Sequence, residues 1–316
     1  LTLDQTTFTC ADAGTNTVIL TATDAAGNSA TATAIVTVED NTAPIASTQN
    51  VTVSLDASGA ASMTAALIDN GSTDNCGITS LTLDQTTFTC SDAGTNTVTL
   101  TATDAAGNSA SQTAIVTVED NTAPTVLTQN VTVSLDASGN VSITTALIDN
   151  GSTDNCGITS LTLDQATFTC AEAGTNTITL TATDAAGNSS SQTAIVTVED
   201  STAPIVSTQN VTVSLDASGN ASITTALIDN GSTDNCGITS LSLDQSTFTC
   251  ADAGTNTVTL TATDGSGNSA SQTAIVTVED NTAPTVLTQN VTVSLDASGN
   301  ASITTALIDN GSTDNC

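Results

Sequence analysis

One 80-residue motif written four times leaves this chain little architectural freedom. LTLDQTTFTC begins at Leu1 and returns at Leu81, then reappears as LTLDQATFTC at Leu161 and as LSLDQSTFTC at Leu241. Residues 81–160 and 161–240 differ at nine of 80 positions, and the changes are mild (Thr86 to Ala166, Asp92 to Glu172, Val98 to Ile178). A fixed period of this length marks an array in which each unit contacts its neighbours. Near-identity means that no copy has a private task. No initiator Met and no charged-then-apolar leader precede Leu1, so the sequence reads as a segment of a longer array.

The one Pro per repeat stands in the polar stretch VEDNTAP (Val38 to Pro44, Val118 to Pro124), which reads as the linker. Units then run 43–122, 123–202 and 203–282, with half-units at 1–42 and 283–316. Within a unit the apolar pattern has period 2 and is rich in β-branched residues. NVTVSLD puts Val51, Val53 and Leu55 on one face, DASGN turns, and ASITTALI reads as the next strand. TVTLTATD sends Val98, Leu100 and Ala102 inward and Thr97, Thr99 and Thr101 outward. With AAGN and SASQTAIVTVED this makes six or seven short strands, an all-β antiparallel sandwich of about 80 residues with no helical periodicity. With one Phe per unit and no Trp, so small a core is marginal alone and needs other support.

Charge decides what such an array can do. The chain holds 32 Asp and Glu, eight per repeat, and no Lys, Arg or His. Nucleic-acid binding needs a basic footprint, and there is none. Imidazole bases and lysine Schiff bases are excluded with their residues. A carboxylate pair of the glycosidase kind would need an aromatic-lined cleft, but Trp and Tyr are absent, and an active site would hardly recur unchanged in every repeat. The chain reads as no enzyme. No run of 18 apolar residues is present, so no membrane insertion is expected in this segment.

STDNCG, FTC, AGTNTVTLTATDAAGNSA and IVTVEDNTAP, in this order through residues 72–124 and with a few substitutions in the other copies, resemble the HYR (hyalin repeat) module. The resemblance implies an immunoglobulin-like fold, tandem repeats forming an elongated rod, and a structural or adhesive role outside the cell. Long acidic arrays of this kind are similar to those of giant Bacteroidota surface adhesins, including the gliding-motility type. The Cys pair that many bacterial relatives carry is absent here, where STQ (Ser47 to Gln49) and SQT (Ser111 to Thr113) stand.

Eight cysteines at fixed spacing argue for disulfides and an oxidising compartment. Zinc would need CxxC-type pairs or His, and neither occurs. Two pairings are open. Within a unit, Cys76–Cys90, Cys156–Cys170 and Cys236–Cys250 are each symmetric about a hairpin turning at Leu83–Asp84 or its equivalent, and this is the favoured expectation. Between units, Cys10–Cys76 and Cys90–Cys156 would staple neighbours.

The carboxylates suggest a cation. Glu39 and Asp40 end the last strand at the linker, Asp69 and Asp74 flank the loop DNGSTDN, and Asp104 and Asn108 bracket the DAAGN turn. In an immunoglobulin-like topology these segments meet at the pole where the preceding linker arrives. Such oxygen-only ligand sets suit Ca²⁺, and the linker is similar to the DNAP-type calcium linkers of cadherins. The same positions recur as Glu119, Asp120, Asp149, Asp154, Asp184 and Asn188, then as Glu199, Asp200, Asp229, Asp234, Asp264 and Asn268, and in part as Glu279, Asp280, Asp309 and Asp314. Asp56, Asp84 and Asp92 read as turn or surface residues. The expectation is a stalk of a secreted cell-surface adhesin, its partners the neighbouring repeats and, through a distal tip, surface polysaccharide. The alternative is a multivalent module in which every repeat touches polysaccharide directly.

Overall fold

The computed structural model describes residues 1–316, and the chain falls into two compact units. The first comprises Leu1–Thr128, Asp149–Thr162 and Leu180–Gln192; the second comprises Gln129–Ile148, Leu163–Thr179 and Thr193–Cys316. Each holds one complete copy of the repeat core.

In the first unit, residues 43–122 form strands β1 (Val51–Ser54), β2 (Ala60–Ser62), β3 (Ile78–Leu83), β4 (Thr87–Thr89), β5 (Gly94–Asp104) and β6 (Ser109–Glu119). A four-stranded sheet runs in the order β1-β6-β5-β3, and β2 pairs with β4 in a second, two-stranded sheet. The alternation read from the sequence is realised in β5, where Val98, Leu100 and Ala102 are fully buried. Val98 packs in one cluster with Ala114, Val116 and Val118 of β6 and with Phe88 of β4, which is 1% exposed. Leu55, Met63 and Ile68 complete this core. In the second unit Leu215, Ile223, Ile228, Phe248, Val258 and Leu260 repeat it.

Three expectations about the fold need correction. The sheet is not wholly antiparallel, because β1 lies parallel to β6 with Val51 opposite Val116. A parallel pairing of first and last strands makes the chain arrive at one pole of the repeat and leave at the other. ASITTALI and its variants are not one strand: after Ala60–Ser62 the chain makes a helical turn, α1 (Ala65–Ile68), that buries Ile68 and leaves Leu67 43% exposed. Finally, Leu83–Asp84 is not a hairpin. β3 pairs with β5 and β4 with β2, so the chain crosses there from one sheet to the other.

The half-units are incomplete copies. Residues 1–42 form strands Thr2–Leu3, Gly14–Thr23 and Ser29–Val38, and 283–316 form only the turn Thr305–Ile308 and isolated bridges. Leu295 is accordingly 68% exposed, whereas its counterpart Leu55 is 5% exposed. No helix is long and apolar enough to cross a membrane.

Candidate metal centre

Three triads of aspartates form where a linker meets the following copy: Asp40, Asp74 and Asp104; Asp120, Asp154 and Asp184; Asp200, Asp234 and Asp264. In each, one oxygen per residue lies within 4.8 Å of the others. The first two triads belong to the first compact unit and the third to the second.

The local folding of each segment aims these carboxylates. Asp184 ends its strand and closes the DAAGN turn: one oxygen accepts the Asn188 backbone N–H and the other the Asn188 side-chain amide, both at 2.8 Å. That amide also donates to the Asp120 carbonyl at 3.0 Å, fixing the linker against the turn. Asp154 accepts the Cys156 N–H at 2.9 Å through Oδ2. Asp120 accepts Thr122 N–H and the Asn155 amide through Oδ1, both at 3.1 Å.

What remains is a set of oxygens without donors. Asp120 Oδ2, Asp154 Oδ1 and Asn155 Oδ1 are buried with no hydrogen-bond partner, and Asp200 Oδ2, Asp234 Oδ1 and Asn235 Oδ1 repeat the pattern. Asp120 and Asp200 are only 7% and 6% exposed. A buried acceptor left unpaired costs about 1–3 kcal/mol, and more when charged. Two carboxylates about 4.8 Å apart repel by roughly 3 kcal/mol at an effective dielectric of 20. The chain has no Lys, Arg or His to relieve this. Oxygens so spaced match a cation with ligand bonds of about 2.3–2.6 Å.

In the first triad, burial pushes the Asp104 carboxyl up, but the Asn108 side chain and the N–H groups of Asn108 and Gly107 outweigh it and hold the group below its ordinary value. Asp264 behaves alike, with burial opposed by Asn268 and the Ser266 N–H. Both therefore stay ionised, as a cation ligand must.

Other residues expected at these sites lie elsewhere. Asp69 turns its carboxylate to Ser72, accepting its N–H at 3.0 Å, and the Ser72 hydroxyl holds its carboxyl below the usual range. Asp149 and Asp229 do the same with Ser152 and Ser232. Asp309 holds Ser312 at 2.9 Å. Glu119 and Glu279 are exposed and reach only Asn121 and Asn281. Glu39 and Glu199 likewise join no triad, nor do Asp280 and Asp314, although Asp280 accepts the Asn315 amide at 3.2 Å. Asn108, Asn188 and Asn268 direct their amide nitrogens, not their oxygens, at the aspartates. They orient the site. Asp56 serves its own turn through Ser58 and Ala60, and Asp92 closes a capping box with Thr89.

The sequence reading missed Asn155 and its equivalents Asn75, Asn235 and Asn315. Asn155 lies between triad member Asp154 and Cys156 and ties the linker Asp120 to the Asp56 carbonyl of the preceding repeat, at 3.1 Å to each. The only sequence signal was the triplet DNC itself.

The disulfides correct the favoured pairing. Cys10 bonds Cys76, Cys90 bonds Cys156, Cys170 bonds Cys236, and Cys250 bonds Cys316, leaving no free thiol. Cys76 does not bond Cys90, nor Cys156 bond Cys170, nor Cys236 bond Cys250. The missing hairpin is the reason: the sheet-to-sheet crossing carries Cys76 to the pole beside Asp40 and Cys90 to the pole beside Asn155. Each bond instead joins one copy to the next across 66 residues, worth about 4 kcal/mol in the chain-entropy description.

No protein-family model matches the chain, and no curated protein does. Among solved structures, the protocadherin GammaB4 extracellular domain aligns at TM-score 0.31 and 19% identity, covering 91% of this chain and 58% of that one. PcdhgB3 EC1-4 aligns at 0.32 and 13%, covering 84% and 83%. Mouse cadherin-23 EC22-24 aligns at 0.31 and 14%, covering 75% and 99%. Likeness this loose carries nothing about function. The fold class stands on the period of the sequence and the strand order itself: tandem all-β repeats.

Proposed function

We propose that this chain is a structural stalk segment of an extracellular adhesin whose repeat junctions are fastened twice, by a disulfide and by a calcium ion. The observation that carries the reading is the donor-free oxygen set of each junction. Asp120 Oδ2, Asp154 Oδ1 and Asn155 Oδ1 are buried together in a chain without cationic side chains. Calcium accepts six to eight oxygens in flexible geometry, so the Asp120–Asp154–Asp184 set supplies part of a shell that backbone carbonyls and water complete. Bound there, the ion converts mutual repulsion of the linker, the loop and the turn into attraction. Asn188 and Asn155 keep the carboxylates aimed without being displaced.

Four disulfides support an oxidising, extracellular setting. Near-identical copies support a spacer whose purpose is length, and the boundaries 43–122, 123–202 and 203–282 make each linker part of a junction. The HYR-like motifs support display on a cell surface, in the manner of gliding-type adhesins. Calorimetric titration with calcium, paired with melting curves in calcium and in chelator at matched ionic strength, tests the clamp. Three ions per chain and a higher melting point in calcium are expected; heatless titration and unchanged melting would sink it. A glycan array probed with the oxidised chain tests the stalk assignment, which direct polysaccharide binding by the repeats would overturn.

A further inference from the structure

The disulfides close four spans that follow one another without overlap: 10–76, 90–156, 170–236 and 250–316. Tension between the ends of the chain therefore has a covalent short cut. It runs along the backbone to Cys10, crosses the sulfurs to Cys76, follows the backbone from there to Cys90, crosses to Cys156, and so on. Four spans of 66 steps each enclose 264 of the 315 steps from Leu1 to Cys316, leaving 51 that can bear load.

We propose that this bypass makes the array a nearly inextensible tether, with most of every repeat shielded from tension. The inference deepens the stalk reading and rests on it for its purpose, though not for its geometry. In the repeat 43–122 the load-bearing segment holds β3 and β4 alone. Strands β1 and β2 lie inside the loop closed by Cys10–Cys76, and the hairpin β5–β6 lies inside the loop closed by Cys90–Cys156. No pull along the chain can unravel them while the sulfurs stay joined.

Even the exposed segment is anchored, since Phe88 of β4 is 1% accessible and β3 is laddered to β5. If it is torn out entirely, a repeat yields only the stretch from Cys76 to Cys90, about 50 Å of extended chain, and one disulfide step of 5.4 Å between Cα atoms. A repeat without the bypass yields its whole length, about 290 Å. An intra-repeat Cys76–Cys90 bond would have shielded only the stretch that here carries the load. Pairing between neighbours, rather than within each copy, is what produces the device.

The test is single-molecule stretching of the whole chain held by its two ends. The oxidised chain should reach a limiting length of about 200 Å, and the same chain after reduction with a dithiol about 1,100 Å. The paired substitution Cys90→Ser with Cys156→Ser should lengthen the oxidised chain by about 240 Å. That increment is set by covalent connectivity and does not depend on whether the repeat still folds. An oxidised limit near that of the reduced chain would overturn the proposal, as would a double variant no longer than the parent. Glycan binding bears on the stalk reading alone, so the two failures are distinguishable.

Discussion

Asn155 and Asp56 stand 99 residues apart and are joined by a hydrogen bond of 3.1 Å, the Asn155 amide donating to the Asp56 carbonyl. The pairs Asn235–Asp136 and Asn315–Asp216 repeat it at 3.2 and 3.1 Å. Because the same amide nitrogen also reaches the linker carboxylate, one side chain ties together a turn, a linker and the next copy's loop. The disulfide sits one residue further on and the cation triad one residue back.

This arrangement makes Asn155→Ala informative beside Asn75→Ala. Asn155 loses bonds to both Asp120 and Asp56, whereas Asn75 loses those to Asp40 and to the Cys76 sulfur and none to a turn carbonyl. Asn155→Ala should cost about 1–2 kcal/mol in urea unfolding of the oxidised chain and Asn75→Ala less. Equal losses would show that the turn contact contributes nothing.

Calcium stoichiometry separates the triad from its acidic neighbours. Asp154→Asn removes a charge from the middle triad and should reduce calorimetric binding from three ions to two. Asp149→Asn alters a carboxylate already committed to Ser152 and should leave three. The reverse pattern would put the ion at the loop's other end.

Two glycines with positive φ distinguish strain from crowding. Gly107 has φ +95° and open space around a would-be Cβ, so Gly107→Ala should cost about 1 kcal/mol through its backbone alone. At Gly59, with φ +74°, that Cβ would stand 2.6 Å from Cys90 Sγ and 2.8 Å from the Asn155 carbonyl. Gly59→Ala should cost a further 1–3 kcal/mol or so and slow formation of the Cys90–Cys156 bond in oxidative refolding. Equal costs in urea melts would mean that the junction yields freely.

Acid should unfold the chain where base does not. The Thr99 N–H holds the Asp84 carboxyl below its ordinary value of 3.8, and Thr179 and Thr259 do the same for Asp164 and Asp244. A carboxyl depressed in the folded state adds stability that is fully present above the unfolded value and is lost as pH falls through the folded one. In chelator, melting temperature should therefore be level from about pH 5 upward and drop below about pH 4. With His, Lys, Arg and Tyr absent and every Cys bonded, no side chain titrates above the carboxylate range. Asp84→Asn should flatten part of the acid limb; an unchanged limb would assign it to other carboxylates.

The repeat, its period-2 strands and the inward row Val98, Leu100 and Ala102 were legible in the sequence because each is set by local alternation between faces. The grouping of Asp40, Asp74 and Asp104 at one pole followed from their places on a linker, a loop and a turn of a sandwich. Other features depended on which strand pairs with which, and alternation is blind to that. TTALI satisfies a strand pattern as well as a helical turn that buries Ile148. The parallel register of Val51 on Val116 decides that the chain leaves opposite to where it arrives. The assignment of Ile78–Leu83 and Thr87–Thr89 to different sheets turned Cys90 away from Cys76, its near neighbour in sequence, and toward Cys156, 66 residues on. Sequence spacing favours the nearer partner on loop entropy, but a disulfide forms only where packing brings two Cβ atoms within about 4 Å.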